Sequence, residues 1–213
     1  MTIINECNME LMARYEDNYF DLAIVDPPYG IERFKKGSLR FDKSNKAKNG
    51  LEWDVKPNEE YFNELFRVSK NQIIWGANNF TLPESEYFIF WDKCQTVDNF
   101  ADGELAYVSM GLKKPAKLFK YAWGGLSDGV LGRNKKIKKI HPTQKPVKLY
   151  EWLLMNYAKD GFKILDTHLG SGSIALACHN LGFDLTACEL DKEYYDAAIK
   201  RIEQHKAQLR IAI

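Results

Sequence analysis

The spacing of hydrophobic and polar residues changes along the chain, and each change marks an element. Leu22–Val25 is an unbroken apolar run, too short for a helix, and reads as a buried strand. Ile3–Ile4 predicts a short strand ahead of it, and the residues around Met9–Tyr15 a helical turn or two. Tyr61, Phe62, Leu65 and Phe66 recur at helical spacing and predict a helix over Glu59–Val68. Strand-like runs follow at Gln72–Trp75, Tyr87–Trp91, Glu104–Met110 and Leu118–Trp123. Pro146 stands in the first turn of a predicted helix that runs to about Tyr157, a place where a missing N–H is tolerated. The pattern then alternates: strand Lys163–Asp166, glycine turn, helix Ser173–Leu181, strand Leu185–Glu189, helix Lys192–Gln208. Strands joined through helices pair in parallel, so the chain is expected to be α/β, with a mostly parallel sheet and helices on both faces. Residues 31–52, rich in Lys, Gly, Asn and Ser, read as a long mobile loop, and Gly124–Lys139 as irregular.

Composition narrows the class. A chain of 213 residues with 45% hydrophobic and 28% charged residues suits one globular domain over 1–213. No apolar run approaches the roughly 20 residues that cross a bilayer. The opening MTIINECNME lacks the basic leader and apolar core of a signal peptide. Cys7, Cys94, Cys178 and Cys188 form no C-x-x-C pair, so reduced thiols are expected rather than a disulfide frame or a metal site. Those features predict a cytoplasmic protein without membrane contact.

The net charge of +1 conceals segregation. Arg33, Lys35, Lys36, Arg40, Lys43, Lys46 and Lys48 face a single acid, Asp42, and Lys113–Lys148 holds eleven basic residues against Asp128 alone. Two such stretches in a nearly neutral chain predict a face that binds a polyanion.

Candidate chemistry gathers in two places. The run I-L-D-T-H-L-G-S-G-S-I-A places Gly170, Ser171 and Gly172 between a strand and a helix, where backbone can approach a ligand. Glu189 follows Gly170 by 19 residues, at the end of the next strand, and can accept hydrogen bonds from ribose hydroxyls. Both a nicotinamide dehydrogenase and a transferase with a nucleoside cofactor meet those two conditions. Asp166 separates them, because a carboxylate there would repel a pyrophosphate and attract the ammonium of S-adenosylmethionine (SAM). Only 24 residues follow Glu189, so the other strands must come earlier in the chain and the sheet is circularly permuted. Ile3–Ile4 is then expected beside the strand ending at Glu189, with Asp26 and Asp166 facing one crevice. The second place is I-V-D-P-P-Y-G at 24–30, where two prolines stiffen the backbone directly after an acid.

The chain resembles the SAM-dependent DNA amino-methyltransferases of the β arrangement, which act on adenine N6 or cytosine N4. The resemblance covers DPPYG at 26–30, WD at 53–54, RVSKNQIIWGANNF at 67–80, FWDK at 90–93, HPTQKP at 141–146 and DTHLGSGSIALA at 166–177. It implies a permuted Rossmann-like fold of the compact bacterial or phage type, a DNA partner, a role in restriction–modification, and room for a homodimer. Asp26 and the carbonyl of Pro27 would accept the protons of the target amine, with Pro28 stiffening the turn and Tyr29 offering a ring to a flipped-out base. Asp26, Lys145, Asp166, Gly170, Ser171, Gly172 and Glu189 would line the cofactor, with Lys145 near its methionine part. Arg33, Lys35, Lys36, Arg40, Trp53 and Arg133 would contact DNA, with a short target-recognition insert at 111–140. Members with DPPY more often take adenine, whereas serine-initiated variants favour cytosine; the alternatives are a cytosine N4 methyltransferase and a non-catalytic nucleic-acid-binding module of the same fold.

Overall fold

The structure is a computed structural model, and it describes residues 1–30, 55–94, 101–123, 140–141 and 143–208. Its strands are β1 (Thr2–Ile4), β2 (Leu22–Val25), β3 (Gln72–Trp75), β4 (Phe88–Asp92), β5 (Gly103–Val108), β6 (Lys117–Lys120), β7 (Lys163–Asp166) and β8 (Asp184–Cys188). The helices are α1 (Asn8–Ala13), α2 (Glu59–Val68), α3 (Val147–Tyr157), α4 (Ser173–Leu181) and α5 (Lys192–Lys206). The strands form one sheet in the order β1-β8-β7-β2-β3-β5-β4-β6.

Strands β2 and β3 are buried at every position, as expected for central parallel strands covered on both faces. Residues Leu11, Met12, Tyr61, Phe62, Leu65 and Val68 of α1 and α2 cover one face, against Ala23, Val25 and Ile74. Helices α3, α4 and α5 cover the other, against Leu22, Ile24, Ile73 and Ile164. Each fully buried aliphatic contributes roughly 1.5–3 kcal/mol, which makes these two layers the main source of cohesion.

Local signals set the helix ends. Asn58 caps α2 by accepting from the N–H of Tyr61 at 3.1 Å, and Asp191 caps α5 by accepting from Glu193 and Tyr194. Arg67, in the last turn of α2, donates to Glu64, to Asp17 and to the backbone carbonyls of Met12 and Tyr15, which ties α2 to α1.

The expected permutation is present. β1 pairs in parallel with β8 through Ile3↔Ala187, and β2 pairs in parallel with β7 through Ala23↔Leu165. From β7 the chain moves one way, through α4 to β8; from β2 it moves the other way, through α2 to β3. The sheet therefore reverses direction between β7 and β2, and the crevice at their carboxyl ends is where such sheets hold ligands.

Several boundaries differ from expectation. The predicted strand Leu118–Trp123 is β6 (Lys117–Lys120), at the sheet edge; its regular ladder with β4 runs to Asp92↔Lys120, and beyond it the N–H groups of Tyr121 and Trp123 still donate to the carbonyls of Asp92 and Lys93. The run expected to continue to Met110 leaves the sheet after Val108, where Met110–Leu112 turns into a short 3-10 helix. Pro146 lies at the N-cap of α3 rather than inside its first turn, with extended backbone at ψ 145°. β5 runs antiparallel to both β3 and β4, a reversal that matters for the site below.

Candidate active site

Asp166 is the last residue of β7, and Asp26 follows β2 by one residue, so the two carboxyl groups flank the crevice. The structure separates the expected site residues into two groups on either side of it.

On the first side, Gly170 and Gly172 adopt left-handed backbone at φ +53° and +74°. A side chain at Gly172 would press on Ile202 and Ala198 of α5, so the turn and the helix seat each other closely. Ser171 is buried, and Arg201 of α5 donates to its carbonyl at 2.8 Å and to the Ser173 hydroxyl at 3.0 Å. Glu189 accepts from the N–H of Gly170 at 2.8 Å through Oε2 and from the N–H of Asp191 at 3.0 Å through Oε1. Each oxygen keeps acceptor capacity for a further donor. Asp166 accepts from the N–H of His168 at 3.0 Å and is 2% exposed. Burial pushes its carboxyl up to about 8; the His168 N–H opposes this, while Asp26 and Glu189 add to it. No ion pair reaches Asp166 among the described residues, so it is an acid that keeps its proton near neutrality.

Behind Asp166 lies a chain of polar contacts that sequence reasoning did not find. Asn8 donates to Nε2 of His168 at 3.1 Å, and Nδ1 of His168 lies 2.9 Å from the Thr167 hydroxyl. That hydroxyl lies 2.7 Å from the Tyr61 hydroxyl. An acceptor at Nε2 places the ring proton on Nδ1, and burial pushes the imidazolium down to about 4, so the ring is neutral.

The second side is built of charges. Tyr29 donates to Oδ1 of Asp26 at 2.7 Å, and the Lys145 ammonium contacts Oδ2. The same ammonium lies 3.1 Å from Oε2 of Glu104 and 3.3 Å from the Tyr29 hydroxyl. The other oxygen of Glu104 meets Lys93 at 2.5 Å. Lys145 is 4% exposed, and the rings of Trp75 and Tyr29 lie 5.6 and 5.7 Å from its ammonium. Burial opposes the Lys145 charge, but Asp26 and Glu104 more than restore it and raise its pKa. Burial raises Asp26, with Lys145 pulling down and Glu104 pushing up; the net direction is upward. Burial also opposes ionisation of Glu104, yet Lys145 and Lys93 outweigh it and hold that carboxyl down to about 2.

The Tyr29 ring is seated by Gly76, which has φ +70°, and any Cβ there would overlap the ring. Pro27 is buried and Pro28 half-buried. Lys145 was expected beside the methionine part of a cofactor. Its backbone carbonyl accepts from Ser173 at the start of α4, next to the glycine turn, while its ammonium turns to Asp26.

Glu104 carried no signal as a site residue, because ligand-facing acids are expected at the carboxyl ends of parallel strands. β5 is antiparallel, so its beginning lies at that same edge, with Glu104 opposite Trp91. Trp75 and Trp91 are core residues and pack edge to face at 6.2 Å. Arg33, Lys35, Lys36, Arg40, Trp53 and Arg133, with the loop 31–52, lie outside the described residues. The insert at 111–140 starts in the short 3-10 helix Met110–Leu112 and takes in β6, and residues 124–139 of it also lie outside. Among the described residues no helix is long and apolar enough to cross a membrane, and no group of three or more His, Cys, Asp or Glu is placed to hold a metal.

A family model described as DNA methylase matches residues 109–200, the part that contains the glycine turn. Type II methyltransferase M2.DpnII of Streptococcus pneumoniae is 24% identical over 95% of this chain and 90% of its own length. Type II methyltransferase M.BglII of Bacillus subtilis is 24% identical over 92% of this chain and 67% of its own. The fold is similar to the crystal structure of an M1.HpyAVI–SAM complex, with a TM-score of 0.56, 20% identity, and 94% and 98% of the two chains covered. It is also similar to PvuII DNA methyltransferase (cytosine-N4-specific), with a TM-score of 0.59, 13% identity, and 99% and 87% covered. With DPPY, Lys145 and the glycine turn arranged around one crevice, the chain is similar to the DNA N6-adenine/N4-cytosine methyltransferases of the DPPY type.

Proposed function

We propose that the protein moves a methyl group from SAM to the exocyclic N6 of an adenine flipped out of duplex DNA. The observation that carries this reading is that Asp26 and Asp166 flank one crevice, the first paired to a lysine and the second without an ion pair. A buried carboxyl that no ion pair reaches among the described residues, such as Asp166, suits a cationic ligand, which would draw off its proton. Glu189, with an acceptor site left on each oxygen, suits a ribose diol beside the glycine turn. When bound, SAM supplies a methyl group activated by the sulfonium.

An exocyclic amine is a poor nucleophile because its lone pair is delocalised into the ring. Asp26 and the Pro27 carbonyl would accept its two protons and draw the nitrogen toward tetrahedral geometry, and the prolines hold both acceptors in direction. Nitrogen gains the methyl, and the surplus proton leaves through Asp26, which already accepts from that nitrogen. Holding the amine against the donor would supply much of the acceleration. The basic stretches at 33–48 and 113–148 would contact phosphates, giving affinity that falls steeply with salt. Arg33, Arg40 and Arg133 are the candidates for reading guanine edges.

The same pair of acceptors could serve cytosine N4, and the fold likeness to a cytosine-N4-specific enzyme keeps that as the second reading. Incubation with SAM labelled at the methyl group and DNA of mixed sequence, then digestion to nucleosides, separates the two. Label in N6-methyl-2′-deoxyadenosine is expected; label in N4-methyl-2′-deoxycytidine would move the target base.

A further inference from the structure

We infer that Glu104 is a positioning residue for methyl transfer: through Lys145 it fixes the plane of the Asp26 carboxylate against the amine that Asp26 must accept. The inference rests on the methyltransferase reading above.

An ammonium has three donors. Those of Lys145 have three partners, Asp26 Oδ2, Glu104 Oε2 at 3.1 Å and the Tyr29 hydroxyl at 3.3 Å, so its head cannot turn without losing one. Asp26 is in turn held at both oxygens, by Lys145 on Oδ2 and by the Tyr29 hydroxyl at 2.7 Å on Oδ1. A simple structural pair would need one acid and one ammonium. Here the second acid brings its own counterion, because Glu104 Oε1 lies 2.5 Å from Lys93. Lys93 neutralises Glu104, which leaves the charge of Lys145 for Asp26 while Glu104 anchors its position. The four charges come from β5, from the residues just after β2 and β4, and from the segment before α3, and they sum to zero in a largely buried site.

Other groups also face Asp26. Tyr61 from α2, Tyr150 from α3 and Asp166 from β7 are close enough to interact with its charge, besides Tyr29 on its own turn. Two of the three are tyrosines raised well out of their ordinary range by burial, so they stay neutral. The charges that set Asp26 from nearby are therefore Lys145 and Glu104, with Asp166 neutral until a cation arrives.

The test is single-turnover methyl transfer from pH 5 to 9, with SAM and DNA saturating, alongside SAM affinity and thermal melting. Glu104→Gln should lower the rate about 10- to 100-fold, the scale of a small misplacement of reacting groups, with SAM affinity within about threefold of wild type. It should also move the acid limb of the profile to lower pH, since a like charge beside Asp26 is gone and Lys145 remains. Lys93→Gln should move that limb the opposite way, because an unpaired Glu104 draws Lys145 from Asp26. Glu104→Asp keeps the charge and should keep the limb while losing rate several-fold. A purely structural role would lower melting and rate together and leave the limb in place. A wild-type rate and limb in Glu104→Gln would overturn the inference. If Glu104→Gln does not fold, an unmoved limb in Lys93→Gln overturns it instead. Failure of the wild-type protein to methylate DNA would overturn the methyltransferase reading itself.

Discussion

The two sides of the crevice solve the burial of acid groups in opposite ways. On the glycine-turn side, Asp166 and Glu189 are satisfied by backbone N–H groups, and Asp166 keeps its proton because burial opposes its charge and no ion pair reaches it among the described residues. On the DPPY side, Asp26 and Glu104 are balanced by Lys145 and Lys93 drawn from distant parts of the chain. The first side is incomplete without a cation and the second brings its own. A site that binds a sulfonium cofactor afresh in each cycle, yet must present a fixed acceptor to a base, gains from that division.

The largest expected effect is on transfer. Asp26→Ala should reduce methylation at least about a thousand-fold, because it removes the acceptor from the reacting amine. SAM affinity should fall by only a few-fold; an equal loss of both would erase the division between the two sides. Next is Lys145→Met, which leaves Asp26 and Glu104 facing each other without their shared cation. Breaking a buried pair costs about 3–5 kcal/mol, read as lost stability of the ligand-free protein in denaturant. Asp166→Asn gives the converse result. It replaces an acid already neutral near pH 7, so ligand-free stability should change by less than about 1 kcal/mol, while SAM affinity falls about 10- to 100-fold by calorimetry.

The pH dependence follows from the same acid. The carboxyl of Asp166 is raised from its ordinary range to about 8, so its contribution to ligand-free stability is fully present below the ordinary range and is lost as pH rises through 8. A bound cation requires the ionised form, so SAM affinity should strengthen by up to about tenfold per pH unit toward 8 and level off above it. Titration from pH 6 to 9 reads this directly, and an affinity independent of pH would count against it. The smallest effect is expected from Tyr29→Phe, which keeps the ring over Gly76 and removes one hydrogen bond to Asp26. A loss of about 0.5–1.5 kcal/mol in stability is expected, together with a transfer rate within about tenfold of wild type; Tyr29→Ala should lose far more rate.

The same division explains what could be read from the sequence. The strand at Lys163–Asp166, the turn and the helix Ser173–Leu181 are contiguous, and their local signals fall at the observed bounds. Asp166 and Glu189 were legible because a strand that ends in an acid announces where the acid will sit. Asp26 was legible for the same reason, helped by its prolines. Glu104 was not, because it begins a strand, and only the antiparallel direction of β5 brings a strand's beginning to the ligand edge. That direction depends on pairing between Ile73 and Val108, which no local pattern announces. Lys145 was legible as a site residue, but its ammonium partners were not, since they lie on strands far away in sequence. His168 was hidden for a similar reason: its partners Asn8 and Tyr61 come from the other end of the chain.

Calorimetry of SAM binding at pH 7, in two buffers of different ionisation enthalpy, tests the division most directly. Because Asp166 holds its proton until a cation arrives, close to one proton should be released per SAM bound by the wild-type protein. The release should persist in Asp26→Asn and vanish in Asp166→Asn. Binding without proton release in the wild-type protein, or release that survives in Asp166→Asn, would contradict the account.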